Sequence, residues 1–193
     1  MGFLDTLLGR SKPKKANLDA LFGLPSAAVT LETGAGLKST GRAAVCFKPP
    51  SGQPFASLVD DITATLKIGA SGEAPRVTEE QDRYGYQWIV VSQPDIEELV
   101  TSIHLVNSTL EEQGYGPQLL CSVFGFAAID GAGRPVFLVY LYKRGTFYPF
   151  APMDGEKRDN ALELRLKAVL EAELPVEKDL TRWFPIWGIP TGS

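Results

Sequence analysis

"LLCSVFGFAAIDGAGRPVFLVYLYKRGTFYPFAP", residues 119–152, holds two apolar runs around Asp130-Gly131-Ala132-Gly133 and a third after Lys143-Arg144-Gly145. Runs rich in β-branched and aromatic residues, parted by Gly and Asp, read as a β-hairpin, and this is the strongest such signal in the chain. In the second run Val136, Leu138, Tyr140 and Tyr142 alternate with Phe137, Val139 and Leu141, so both faces of that strand are apolar. Such a strand needs cover on both sides, from a second layer or from a partner. Lys143 and Arg144 are adjacent cations that cannot both be buried unpaired. The chain must therefore emerge there before Phe147 returns. Tyr140 and Phe147 are expected inside, with Arg144 and Tyr148 at the surface near Trp183 or Trp187.

Upstream, Ile96, Leu99, Val100, Ile103, Val106 and Leu110 form one stripe of a helix. Asp95 is its expected cap, with Glu98 three residues on in a box-like pattern, and Gly114 and Pro117 stop it. "PRVTEEQDRYGYQWIVVSQP", residues 75–94, reads as a second hairpin turning near Asp82–Gly85. "NLDALFGLPS" reads as a short helix closed by Gly23 and Pro25, and "AAVTLE" and "GRAAVCFKPP" as two strands. Phe55, Leu58, Val59, Ile62 and Leu66 recur at helical spacing. A last helix is expected from about Asp159 to Glu173, with Leu162, Leu166, Val169 and Leu170 inward. The tail "RWFPIWGIP" is too rich in aromatics and prolines for a plain strand or helix. Consecutive strands joined by short turns give an α+β fold, an antiparallel sheet built from hairpins with helices packed on one face.

The chain has 193 residues, 44% of them hydrophobic, which is ample for a core of its own. Residues 17–193 are expected to form one domain, preceded by a separate segment, 1–16. That segment is basic: Arg10, Lys12, Lys14 and Lys15 stand against Asp5 in residues 1–15, a net +3. With the whole chain at −4, the remainder carries −7. An acidic body lacks the basic stripe that nucleic-acid binding requires. Phe3, Leu4, Leu7 and Leu8 share one side of a two-turn helix ahead of the cations, which suits docking on the domain, on a partner or on an anionic membrane surface. Gly2 and Thr6 also match a myristoylation pattern. No apolar run approaches the ~20 residues needed to cross a bilayer. Asp5 and Arg10 interrupt any signal-peptide core. Cys46 and Cys121, both within apolar runs, read as buried free thiols of a reducing cytosol.

Little in the chain suggests chemistry. "TGAGLKST", residues 33–40, resembles a phosphate loop, but Leu37 rather than Gly precedes Lys38 and a strand follows where a helix is needed. His104 is the lone histidine, so multi-histidine metal sites are excluded. It sits at the edge of the apolar stripe and reads as structural. Cys121, mid-strand, has no neighbour in sequence to lower its pKa. Asn107, on the apolar face, is expected to be buried and hydrogen-bonded, to backbone. The pairs Glu79-Glu80, Glu97-Glu98 and Glu111-Glu112 read as solvated faces. No catalytic residue, metal site, cofactor or small-molecule substrate is assigned. The aromatic stretch has two readings: Tyr140, Phe147 and Phe150 close the core, or Arg144, Phe147, Tyr148 and Phe150 form a partner-binding surface completed by Trp183, Phe184 and Trp187.

"MGFLDTLLGR", "GPQLLCSVFGF" at 116–126, "LVYLYKRGTFYPFAP" at 138–152, "RDNALEL" at 158–164 and "RWFPIWG" at 182–188 together resemble the PspA-associated PspAB family of actinobacteria and some archaea. The resemblance covers nearly the whole chain, residues 50–95 least distinctively. It implies a cytoplasmic accessory of the phage-shock envelope-stress system. Its partners would be PspA, a membrane-remodelling coiled-coil protein, and an HtpX-like membrane metalloprotease. It would sit at the inner face of the membrane. It brings no catalytic residues and argues against myristoylation. The alternative function is a secretion-chaperone-like module that captures an extended or helical peptide.

Overall fold

In the computed structural model, which describes residues 16–48, 56–69 and 74–190, the chain opens with a 3-10 turn at Leu18–Gly23 that runs into α1 (Leu24–Ala35). Strand β1 (Leu37–Phe47), α2 (Ala56–Gly69), the hairpin β2 (Arg76–Gln81) and β3 (Gln87–Ser92), and α3 (Ile96–Leu110) follow. Next come β4 (Leu119–Ala128), β5 (Val136–Leu141), β6 (Thr146–Phe150), the short pair β7 (Pro152–Met153) and β8 (Lys157–Arg158), and α4 (Asn160–Leu170). The six long strands form one antiparallel sheet in the order β2-β3-β1-β4-β5-β6, an α+β fold with the helices on one face.

Both hairpins lie where the sequence places them, and Asp95 caps α3 by accepting from the N–H groups of Glu97 and Glu98 at 2.9 and 3.0 Å. Gly114, at φ +89°, ends that helical stretch before Pro117. Residues 27–32 differ from expectation: "AAVTLE" is not a strand but the middle of α1. Pro25 does not close a helix but occupies its first turn, where its missing N–H costs nothing. Leu24, Ala27, Ala28 and Leu31 are buried at helical spacing, while the β-branched Val29 is 62% exposed. "TGAGLKST" is also settled by position. Gly36, at φ +65°, caps the C-terminus of α1, the negative end of the helix dipole.

The register sorts the sheet into two faces. Val45, Ile89, Ser122, Phe124, Leu138 and Tyr140 share the face under the helices. There Asn107 is buried, as expected, and its Nδ2 donates to Ile103 C=O at 2.8 Å and to Ser122 Oγ at 2.9 Å. Cys46, Trp88, Cys121, Val139, Tyr148 and Phe150 share the opposite face. That face is also buried, and its cover is the chain's own C-terminal stretch.

After α4 the backbone meets the β6 edge, where Phe147 N–H donates to Pro175 C=O at 2.9 Å and Glu177 N–H to Phe147 C=O at 2.7 Å. The chain then crosses the second face as a strap. Trp183 stacks on Tyr148 at 5.8 Å, Trp187 meets the Phe150 ring edge-on at 5.2 Å, and Tyr148 Oη donates to Phe184 C=O at 2.7 Å. Two problems are solved together: the edge of β6 is paired and most of the second apolar face of β5 and β6 is covered.

Candidate functional site

The strap fixes where each expected partner-binding residue lies. Phe147, Tyr148, Phe150 and Trp183 are all buried, so they do not form an open anchor surface. Tyr148 was expected at the surface; it is 1% exposed, and burial raises its phenol pKa well above the ordinary value. Replacing Arg144 and Tyr148 together would damage the fold and is no clean binding test. Of that set, Arg144 reaches solvent and Trp187 stays half-buried. Phe3, Leu4, Leu7, Leu8, Arg10, Lys12, Lys14 and Lys15 lie outside the described residues.

Two ionic contacts hold the strap down. Arg144, at the turn after β5, pairs with Glu177, which also accepts from Thr146 Oγ1 and from Asp179 N–H, both at 3.0 Å. Burial works against the Glu177 carboxylate, but the Arg144 contact and the two other donors outweigh it and hold its pKa below the ordinary 4.5. A lowered folded-state pKa means that this stabilisation is present above the ordinary value and is lost as pH falls through the lowered one. Arg144→Ala is therefore expected to lower Tm at pH 7 and to differ much less from the parent at pH 3, measured by thermal denaturation at both. The second contact is deeper. Arg158 Nε lies 2.9 Å from both Glu163 oxygens, and Arg158 Nη1 donates to Trp183 C=O at 2.6 Å. Glu163 also accepts from Ala151 N–H at 2.9 Å, and Arg158 lies over the Phe150 ring at 5.3 Å.

Between the strap and the β2–β3 hairpin lies a cavity of about 510 Å³. Tyr86, Trp88, Leu120, Leu141, Tyr148 and Ile186 line its sides with Trp187, and Cys46 and Cys121 lie on the same sheet face. Asp82, at the hairpin turn, accepts from Trp88 Nε1 at 3.0 Å and from the N–H groups of Tyr84 and Tyr86 at 2.8 and 3.0 Å. One carboxylate thus sets both the turn and the tryptophan. Tyr84 and Phe184 border the cavity and are 53% and 59% exposed. A larger hollow of about 650 Å³ lies over Thr40, Arg42, Arg76, Thr78 and Ser92, but it is polar and carries no aromatic ring. Buried apolar contact is the main source of binding energy, so the aromatic cavity is the better candidate.

The sequence pointed to Phe184 and Trp187 but not to Tyr84, Tyr86 or Trp88, which read only as hairpin residues. Their gathering depends on β3 lying beside β1, a non-local pairing that no local pattern encodes. His104 is half-buried with its ring 4.9 Å from Phe22. Among the described residues no three His, Cys, Asp or Glu side chains are grouped to hold a metal, and no helix is long and apolar enough to cross a membrane.

No curated protein and no solved structure matches the chain. The family model for PspA associated protein B matches residues 1–191, essentially its full length. The chain belongs to the PspA associated protein B family.

Proposed function

We propose that this protein is a non-enzymatic adaptor that works with a PspA-type coiled-coil protein in the envelope-stress response, through protein–protein contact at the cytoplasmic face of the membrane. The family supports the association with PspA. The observation that carries the contact mode is the exposed aromatic pair Tyr84 and Phe184 beside an apolar cavity. A coiled coil presents folded helices with apolar side chains set among charges, and one such side chain fits a pocket with an aromatic rim. An HtpX-like membrane protease is the second partner in this reading. The experiment is a binding titration of the full chain against a purified PspA-type protein and, separately, against extended peptides from it. Saturable binding to the folded coil supports the adaptor. Binding to peptides alone supports the secretion-chaperone-like alternative, and binding to neither overturns both.

Residues 1–15 supply the membrane contact in this proposal, with Phe3, Leu4, Leu7 and Leu8 entering the interface and Arg10, Lys12, Lys14 and Lys15 meeting anionic headgroups. Each cation near such a surface contributes about 1 kcal/mol, and salt screens it. Deleting 1–15 is expected to reduce co-sedimentation with phosphatidylglycerol vesicles, and added salt to reduce that of the intact chain. Equal sedimentation of both chains would remove the membrane from the proposal.

A further inference from the structure

Cys46 and Cys121 are the chain's two cysteines, and the fold sets them directly opposite each other on the central strands β1 and β4. Directly opposed residues of an antiparallel pair have Cα atoms about 4.5 or 5.5 Å apart, and a disulfide spans about 4.4–6.8 Å, so either kind of pair is within reach. The side chains of an opposed pair point to the same face of the sheet. The ladder shifts register immediately after them, between Cys46 and Phe47, and such an irregularity gives the backbone local freedom to take up the torsion of a bridge. Both residues also line the aromatic cavity, at 4% and 6% exposure, so a small oxidant has a route to them that a buried core pair would lack.

We propose that Cys46 and Cys121 are a modification site, a dithiol that hydrogen peroxide or a small organic hydroperoxide entering the cavity converts to an intrachain disulfide. The proposal is independent of the adaptor reading. One of the two Sγ atoms attacks one peroxide oxygen; the O–O bond breaks, water or an alcohol leaves, and that cysteine becomes a sulfenic acid. The other Sγ then attacks that sulfur; the S–O bond breaks and the hydroxide departs as water with the second thiol's proton. Two thiols are oxidised by two electrons, and the peroxide takes both. Interaction with Cys121 first, and burial second, raises the Cys46 thiol pKa far above the ordinary thiol value. The bridge would join β1 to β4 beneath the strap, at the floor of the cavity.

The test treats the folded full chain with hydrogen peroxide, quenches it, unfolds it in N-ethylmaleimide and measures the intact mass with and without prior dithiothreitol. The expected result is a monomer that has lost two hydrogens, takes up no maleimide, and regains both labelling sites after reduction. Cys46→Ala is expected to stop at a sulfenic acid on Cys121 that dimedone traps. Two alkylatable thiols after oxidant, sulfinic acid in place of the disulfide, or a disulfide-linked dimer would each overturn the proposal. The parent chain gives this answer alone, so a variant that folds poorly does not blunt the test.

Discussion

Trp183→Ala is expected to destabilise the protein by about 4 kcal/mol, in line with the ~3–5 kcal/mol cost of truncating a buried tryptophan. The indole is 6% exposed, stacks on Tyr148, and donates from Nε1 to Glu177 C=O at 3.0 Å. Its removal opens a void over the second sheet face and leaves that carbonyl without its indole donor. Tyr148 is then exposed to water that the strap had excluded. Denaturant unfolding with the midpoint and slope both fitted measures the loss. A loss below about 1 kcal/mol would mean that the strap rests on the sheet without stabilising it, and the explanation for the two apolar faces of β5 would fail.

Arg158→Met carries the second large effect. The carboxylate it would abandon, Glu163, is 2% exposed. Breaking one side of a buried ion pair costs about 3–5 kcal/mol, mostly because the remaining charge stays buried. Glu163 keeps its hydrogen bond from Ala151 N–H, so the site does not collapse into a neutral core. The combination Arg158→Met with Glu163→Gln retains an acceptor for that N–H and removes the stranded charge. It is expected to recover a substantial part of the loss, read by the same unfolding experiment. A double variant as unstable as Arg158→Met alone would show that Arg158 acts through packing on Phe150 and its bond to Trp183 C=O, and not through charge.

The hairpins, the long central helix and its Asp95 cap were legible in the sequence because each rests on a local pattern: alternation, a 3.6-residue stripe, or a turn residue at a fixed offset. The requirement that β5 be covered twice was equally legible, since Phe137, Val139 and Leu141 demand it as strongly as Leu138 and Tyr140 do. What covers the second face was not. The strap has no periodicity, being built of prolines and aromatics, and it reaches Tyr148 only because Pro175 and Glu177 pair with Phe147. Tyr148 was therefore expected outside when its cover comes from residues some 35 positions on. Residues 27–32 failed for a different reason: Val29 and Thr30 have strand propensity, but Leu24, Leu31 and the alanines between them bury a helical stripe, and packing outweighs propensity. No local pattern marks Arg158 and Glu163 as a pair, and only the fold buries their contact and sets Arg158 against Trp183 C=O.

The proposal that the pocket's exposed aromatics hold the partner is tested most directly by Tyr84→Ala combined with Phe184→Ala. Both side chains are more than half exposed, so their removal is expected to leave Tm nearly unchanged. Affinity for the purified PspA-type coiled-coil protein, measured by titration calorimetry against the parent chain, is expected to fall at least about thirtyfold, the loss of roughly 2 kcal/mol that marks a binding hot spot. An unchanged affinity in a folded double variant would contradict the account and place the contact elsewhere on the protein.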